Sequence, residues 1–198
     1  MIPISLLSFP FLNSRKDIIE FFSYLETTET LDFKHLFFKR YLIKEAAYGR
    51  VKDDYGNNLL ILASKYKHKI LVSWIFKTTI IEIISQYIND QNKLGYTAFM
   101  YACQNGDIDS VKFFLAEGTF TKLNLTNIFG DNAYTITALY NHTETLKLLL
   151  KHPYKINHQS FLLHKNNFGY SALDYAKMNN NLEIIELIEK EIQTHSSD

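Results

Sequence analysis

The chain has a single cysteine among its 198 residues, Cys103, so no disulfide can close within it. That suits a reducing compartment. It has no excess of either charge, with Lys+Arg and Asp+Glu at 21 each. A neutral chain is a poor match for non-specific attraction to nucleic acid or anionic lipid. It has no apolar run of membrane-spanning length; the longest candidate, 79–88, is interrupted by Glu82, Ser85 and Gln86. The opening MIPISLLSFPFLN has no basic residue ahead of it and no clear small-residue cleavage site, so it reads as part of the fold. Chemistry is equally scarce. There is no phosphate loop and no nucleophile elbow. None of the seven histidines pairs with a cysteine or carboxylate at zinc spacing. His152, His158 and His164 read as solvated loop residues, and Asp53-Asp54 as turn and cap chemistry. No catalytic, cofactor-binding or metal-binding residue is identified.

Glycine is sparse too, at seven residues, but four of them form a frame: Gly56, Gly95, Gly130 and Gly169, separated by 39, 35 and 39 residues. Two positions after each comes Asn58, Thr97, Asn132 or Ser171. An apolar residue and then a small or short polar one follow. A tight turn needing positive φ favours glycine. A hydroxyl just after the turn, as at Thr97 or Ser171, can cap the next helix. Ala102 and Ala176 are small where two helices approach. Val111, Phe114 and Leu115 fall at i, i+3 and i+4, one helical stripe. That stripe has nothing to bury against in its own unit, so it requires a neighbouring unit. Cys103, beside Ala102, reads as a buried structural thiol and not a nucleophile.

These residues resemble the ankyrin repeat, whose unit is a β-turn and two helices of about 33 residues. The best match runs Thr97-Ala98-Phe99-Met100-Tyr101-Ala102, then Gly106, Val111, Phe114 and Leu115. A second runs Ser171-Ala172-Leu173-Asp174-Tyr175-Ala176, then Asn180, Ile185 and Ile188. The copies from Asn132 and Asn58 are more divergent, and none keeps the family proline or histidine. The resemblance implies an all-α solenoid of helix-turn-helix units with short β-turn tips. The units fall at about 53–91, 92–126, 127–165 and 166–193, with a polar frayed tail at 194–198.

Residues 1–51 lack the glycine frame. Ser14 is placed to cap a helix over 17–25, and a second helix is expected from Leu31 or Asp32 to about Ala47. The pair reads as a helical N-terminal cap or a degenerate first unit. An alternative is that residues 9–47 act as an F-box-like ubiquitin-ligase adaptor. Phe9-Pro10 followed by Asp17 to Leu25 is similar to the opening of that family. Six residues separate Pro10 from Asp17, more than the family has, and the later tryptophan has no counterpart.

Two stretches between units are longer than the repeat needs. In Lys77 to Gln91, Ile80–Ile84 is expected to extend a second helix. Pro153 to Lys165 is expected to be an enlarged loop, and such insertions carry binding or drift with equal ease.

The family resemblance implies binding through turn tips and first-helix faces lining a concave surface. Carried over position by position, this marks Tyr55, Leu94, Tyr96, Phe129, Asp131, Phe168 and Tyr170 on the tips. On the first helices it marks Tyr66, Gln104, Asn105, Leu139, Tyr140 and Met178. Tyr96 and Tyr170 are expected to point outward and bind, whereas the pre-glycine rings are expected mainly to stiffen the tips. The function implied is a protein–protein interaction module, monomeric, with no nucleic acid and no membrane span. An enzyme would need a polar pocket that the sequence does not advertise. The Ile, Asn, Lys and Phe content suggests an AT-rich genome and, by association, a host-directed effector or adaptor. That places it in a cytoplasm, its own or a host cell's.

Overall fold

A computed structural model describes residues 49, 51–79, 81–116, 121–152 and 158–194. The expected helices at 17–25 and 31–47, the F-box-like run and most of the tail lie outside those residues. Among the described residues every regular element is a helix. They are α1 (Leu59–Lys65), α2 (Lys69–Thr78), α3 (Ile81–Tyr87), α4 (Ala98–Asn105), α5 (Ile108–Phe114), α6 (Ala133–Leu139), α7 (Thr143–Leu150), α8 (His158–Leu163), α9 (Ala172–Met178) and α10 (Leu182–Thr194).

The start of each first helix is set locally. The side chains of Asn58, Thr97, Asn132 and Ser171 accept from the backbone N–H of Ile61, Met100, Thr135 and Asp174. Each satisfies one orphan donor of a helix N-terminus. The stop is as regular. Gly106 is left-handed at φ +61°, and Lys67, Asn141 and Asn180 take the same region at the matching positions. After that bend the chain reverses into the second helix.

At α9 the cap is reciprocal. The Asp174 carboxylate accepts from both the backbone N–H and the hydroxyl of Ser171, at 2.8 and 2.6 Å. Those bonds favour the ionised form, so the Asp174 pKa lies below the usual aspartate value. A depressed folded-state pKa stabilises above the unfolded pKa and is lost as pH falls through the folded one. Acid unfolding should therefore draw on this cap below about pH 4. Asp174→Asn is expected to flatten that part of the pH–stability curve; an unchanged curve between pH 5 and pH 2, taken as rough limits, would remove the assignment.

Packing follows the pattern read from the sequence. First helices stack on first helices (α1 on α4, α4 on α6, α6 on α9), and second helices stack as α2, α5, α7 and α10. Ala63, Ala98, Ala102, Ala133, Ala172 and Ala176 are buried in the first-helix row. Leu71, Ile75, Val111, Phe114, Leu146, Leu149, Ile184 and Ile188 fill the space between rows. Each large one contributes roughly 1.5–3 kcal/mol of burial. Phe114 sits edge-on to Phe76 at 5.1 Å and 5.7 Å from Phe99, so it links three helices.

The two long stretches differ from expectation. Residues 81–84 do not extend α2, which ends at Thr78. Thr79 is extended at φ −100° and ψ 132°, and the chain restarts as the separate helix α3. Pro153 to Lys165 is not all loop, because α8 forms within it. α8 covers the seam between units, packing on α6, α9 and α10 and burying Leu162, while Ile84 and Tyr87 of α3 are buried in the core. Both inserted helices are held by a first-helix cap residue. Asn132 Nδ2 donates to the Phe161 carbonyl at 2.9 Å, and Asn58 Nδ2 reaches Asp90 Oδ2 at 3.3 Å and the Tyr87 carbonyl at 3.5 Å. Asparagine has an amide to spare for this after capping with its oxygen, whereas Ser171 gives its one hydroxyl proton to Asp174 within its own cap.

Candidate partner-binding surface

The turns carry the surface, and one column of residues builds them. Asp53, Asn92, Asn127 and Asn166 stand three positions before the four frame glycines. In each, the side-chain Oδ1 accepts from the backbone N–H groups two and four residues on, at 2.7–3.0 Å. The glycine N–H donates back to the carbonyl of the same residue. This is the Asx-turn geometry that short polar side chains favour. Neighbouring turns are then stitched together. Asn92 Nδ2 donates to Asn57 Oδ1 at 2.8 Å, and Asn166 Nδ2 to Asp131 Oδ1 at 2.7 Å. Backbone bonds run from Lys93 N–H to the Tyr55 carbonyl, Ile128 N–H to Leu94, and Asn167 N–H to Phe129. The column was not singled out from the sequence, although an Asn or Asp before every glycine was the signal.

On this scaffold the pre-glycine residues project outward. Tyr55 is 68% exposed, Leu94 48%, Phe129 40% and Phe168 65%. The rings of Phe129 and Phe168 stack at 6.4 Å. Ile128 is exposed beside them. Behind the ridge the backbone carbonyls of Tyr55, Leu94 and Phe129 each accept from the following turn, which ties the successive tips together.

Tyr96 and Tyr170 diverge although they share a position in the repeat. Tyr96 does not point outward: it is 9% exposed and stacks on Tyr101 at 4.7 Å. Burial pushes its hydroxyl pKa up to about 12. The next turn covers it, with Asn127 and Asp131 as neighbours. Tyr170 has no such cover. A side chain built on Gly169 would meet nothing within 4 Å, whereas one on Gly95 would meet the Asn127 and Ile128 backbone. Tyr170 accordingly stays exposed beside Tyr175.

The other expected contact residues divide the same way. Tyr140 and Met178 are exposed on the first helices. Leu139 is half-buried, as is Tyr66, whose ring lies 5.0 Å beneath the Lys65 ammonium. Asp131 is buried and engaged by Asn166. Asn105 is a fastener: its Nδ2 donates to the Ser64 and Lys65 carbonyls at 2.8 and 3.0 Å. Asn179 does the same to Ala138 and Leu139. The carbonyls at a helix C-terminus lack intrahelical donors, and these amides supply them across the seam. The Gln104 carbonyl is likewise engaged by His142 Nε2 at 2.8 Å.

The loop histidines are not free in solvent: His158 is buried, and His152 and His164 are half-buried with ring nitrogens engaged. His158 is buried in α8 with Nδ1 2.6 Å from the Tyr134 hydroxyl. His164 Nε2 lies 2.9 Å from the Gly130 carbonyl and His152 Nε2 3.0 Å from that of Leu115. The inserted helix draws this segment into the seam, where unpaired carbonyls need donors. Burial lowers the His152 pKa and raises that of Tyr134. Cys103 is fully buried, and burial lifts its thiol to about 12, so it stays protonated near neutrality. Among the described residues, no group of three His, Cys, Asp or Glu could hold a metal, and no helix is long and apolar enough to cross a membrane.

The sequence profile of the family described as Ankyrin repeats (3 copies) matches residues 31–127, 75–160 and 100–198. No curated protein matches the chain significantly.

Proposed function

The chain belongs to the ankyrin repeat family, and we propose that it is an adaptor that holds a partner protein along the exposed ridge of its turn tips. Members of the family generally mediate protein–protein interaction and are typically non-catalytic. One observation supports this most: an exposed apolar or aromatic side chain before every frame glycine, at Tyr55, Leu94, Phe129 and Phe168. Aromatic side chains bury much area at low entropy cost and dominate interface energetics. The hydrogen-bonded turns beneath them need little ordering on association. Tyr170, Tyr140 and Met178 extend the surface toward the first helices. Repeat boundaries near 53–91, 92–126, 127–165 and 166–193 put one ridge residue in each unit. The composition supports a host-directed adaptor.

The double variant Tyr55→Ala with Phe168→Ala tests the ridge. Capture of a partner from eukaryotic lysate is expected to fall at least about tenfold, with the melting temperature nearly unchanged. Full capture by the folded double variant would overturn the ridge as the binding surface.

A further inference from the structure

We propose that the second-helix row carries a separate docking site, an apolar groove between α2 and α5 rimmed by lysine, that takes an acidic amphipathic helix from a partner protein. The groove has a volume of about 840 Å³. Its floor is Ile70, Trp74 and Phe113. Phe113 is fixed by stacking on Phe76 at 5.7 Å. Ile70 stays 43% exposed although it is aliphatic. The rim is Lys69, Lys77 and Lys112.

Charge selects the occupant. Lys69 has one carboxylate nearby, Asp109 at 3.8 Å, and both are well exposed. Such a pair contributes little. Among the described residues no carboxylate lies within ion-pair distance of Lys77 or Lys112. Farther along the same row Lys147 is matched twice, by Glu144 at 2.7 Å and Glu183 at 2.6 Å. The chain as a whole is neutral, so the local surplus at the groove is distinctive. A helix with one apolar face and flanking carboxylates would cover the floor and pair with the rim, which is helix-in-groove recognition. The ten-residue α2 spans roughly 15 Å, so about 10 residues of partner helix would span the site.

Trp74 is the chain's only tryptophan and lies in the floor, so its fluorescence reports on the site. The full chain would be titrated at low salt with a synthetic amphipathic peptide of about 12 residues, leucine on one face and glutamate on the other. A saturable change in Trp74 emission is expected. It should weaken as salt shortens the Debye length from ~30 Å toward ~3 Å. Lys77→Glu with Lys112→Glu should raise the Kd by roughly tenfold or more. Both lysines are exposed, and circular dichroism checks the fold; Lys77→Gln with Lys112→Gln is the milder pair should the first unfold. Tyr55→Ala with Phe168→Ala should bind the peptide as the wild type does, which separates this site from the ridge. No saturable change would overturn the proposal. So would equal affinity for a peptide with lysine in place of glutamate, or unaltered binding by the lysine variants. A Trp74 signal that depends on protein concentration alone would give the groove to a second copy, and would also overturn it.

Discussion

Gly95→Ala is expected to destabilise the array by about 3–4 kcal/mol, and Gly169→Ala by only about 1 kcal/mol. The two glycines have the same backbone conformation, φ +74° and +83°. The left-handed strain of a Cβ is therefore common to both. What differs is the neighbour. A Cβ on Gly95 would lie 2.8 Å from Asn127 Cα and 2.9 Å from the Ile128 nitrogen. Those are backbone atoms, and Ile128 N–H is bonded to the Leu94 carbonyl. Relief would require the two turns to separate. Beside Gly169 there is open space. Urea melts of the two variants measure the difference. Equal losses would mean that only φ matters and that the close approach of the turns stabilises nothing.

Asn92→Ala should cost about 3 kcal/mol, though it removes a small polar side chain. Asn92 is buried and makes four bonds. It accepts from the N–H groups of Leu94 and Tyr96, and donates to Asn57 Oδ1 and the Tyr101 hydroxyl. Alanine leaves all four partners short of a bond in a site the next turn shields, and each buried orphan costs roughly 1–3 kcal/mol, not additively. The loss would be read from the shift in urea midpoint. A cost below about 1 kcal/mol would mean that water enters and replaces the side chain.

The frame, the caps and the apolar stripe were legible because each is a short-range pattern. A glycine turn, a cap oxygen bonding three residues on, and a stripe at i, i+3 and i+4 involve near neighbours in the chain. Four copies in phase made them unambiguous: Thr97 and Ser171 cap as expected, and Asn58 and Asn132 cap at the same position of their units. The Asn/Asp column before the glycines was equally local and equally visible, since its main bonds reach only two and four residues on.

The surface was less legible, since exposure depends on what the next unit covers. Asn105 sits on a first-helix face, yet its amide spans about 40 residues of sequence to the carbonyls of Ser64 and Lys65. His158 had no local pattern to mark it; the Tyr134 hydroxyl that receives it comes from α6. The groove floor joins Ile70 and Trp74 of α2 to Phe113 of α5, residues that meet only when the second helices stack.

Tyr96 and Tyr170 mark the boundary. Each follows a frame glycine and precedes a capping hydroxyl. The sequence by itself determined that both begin a capped helix after a left-handed turn, because those forces act within a few residues. Only the tertiary structure decided that one ring is buried and the other exposed. A following turn lies against Gly95 and none lies against Gly169, and burial is a property of the stack and not of the unit.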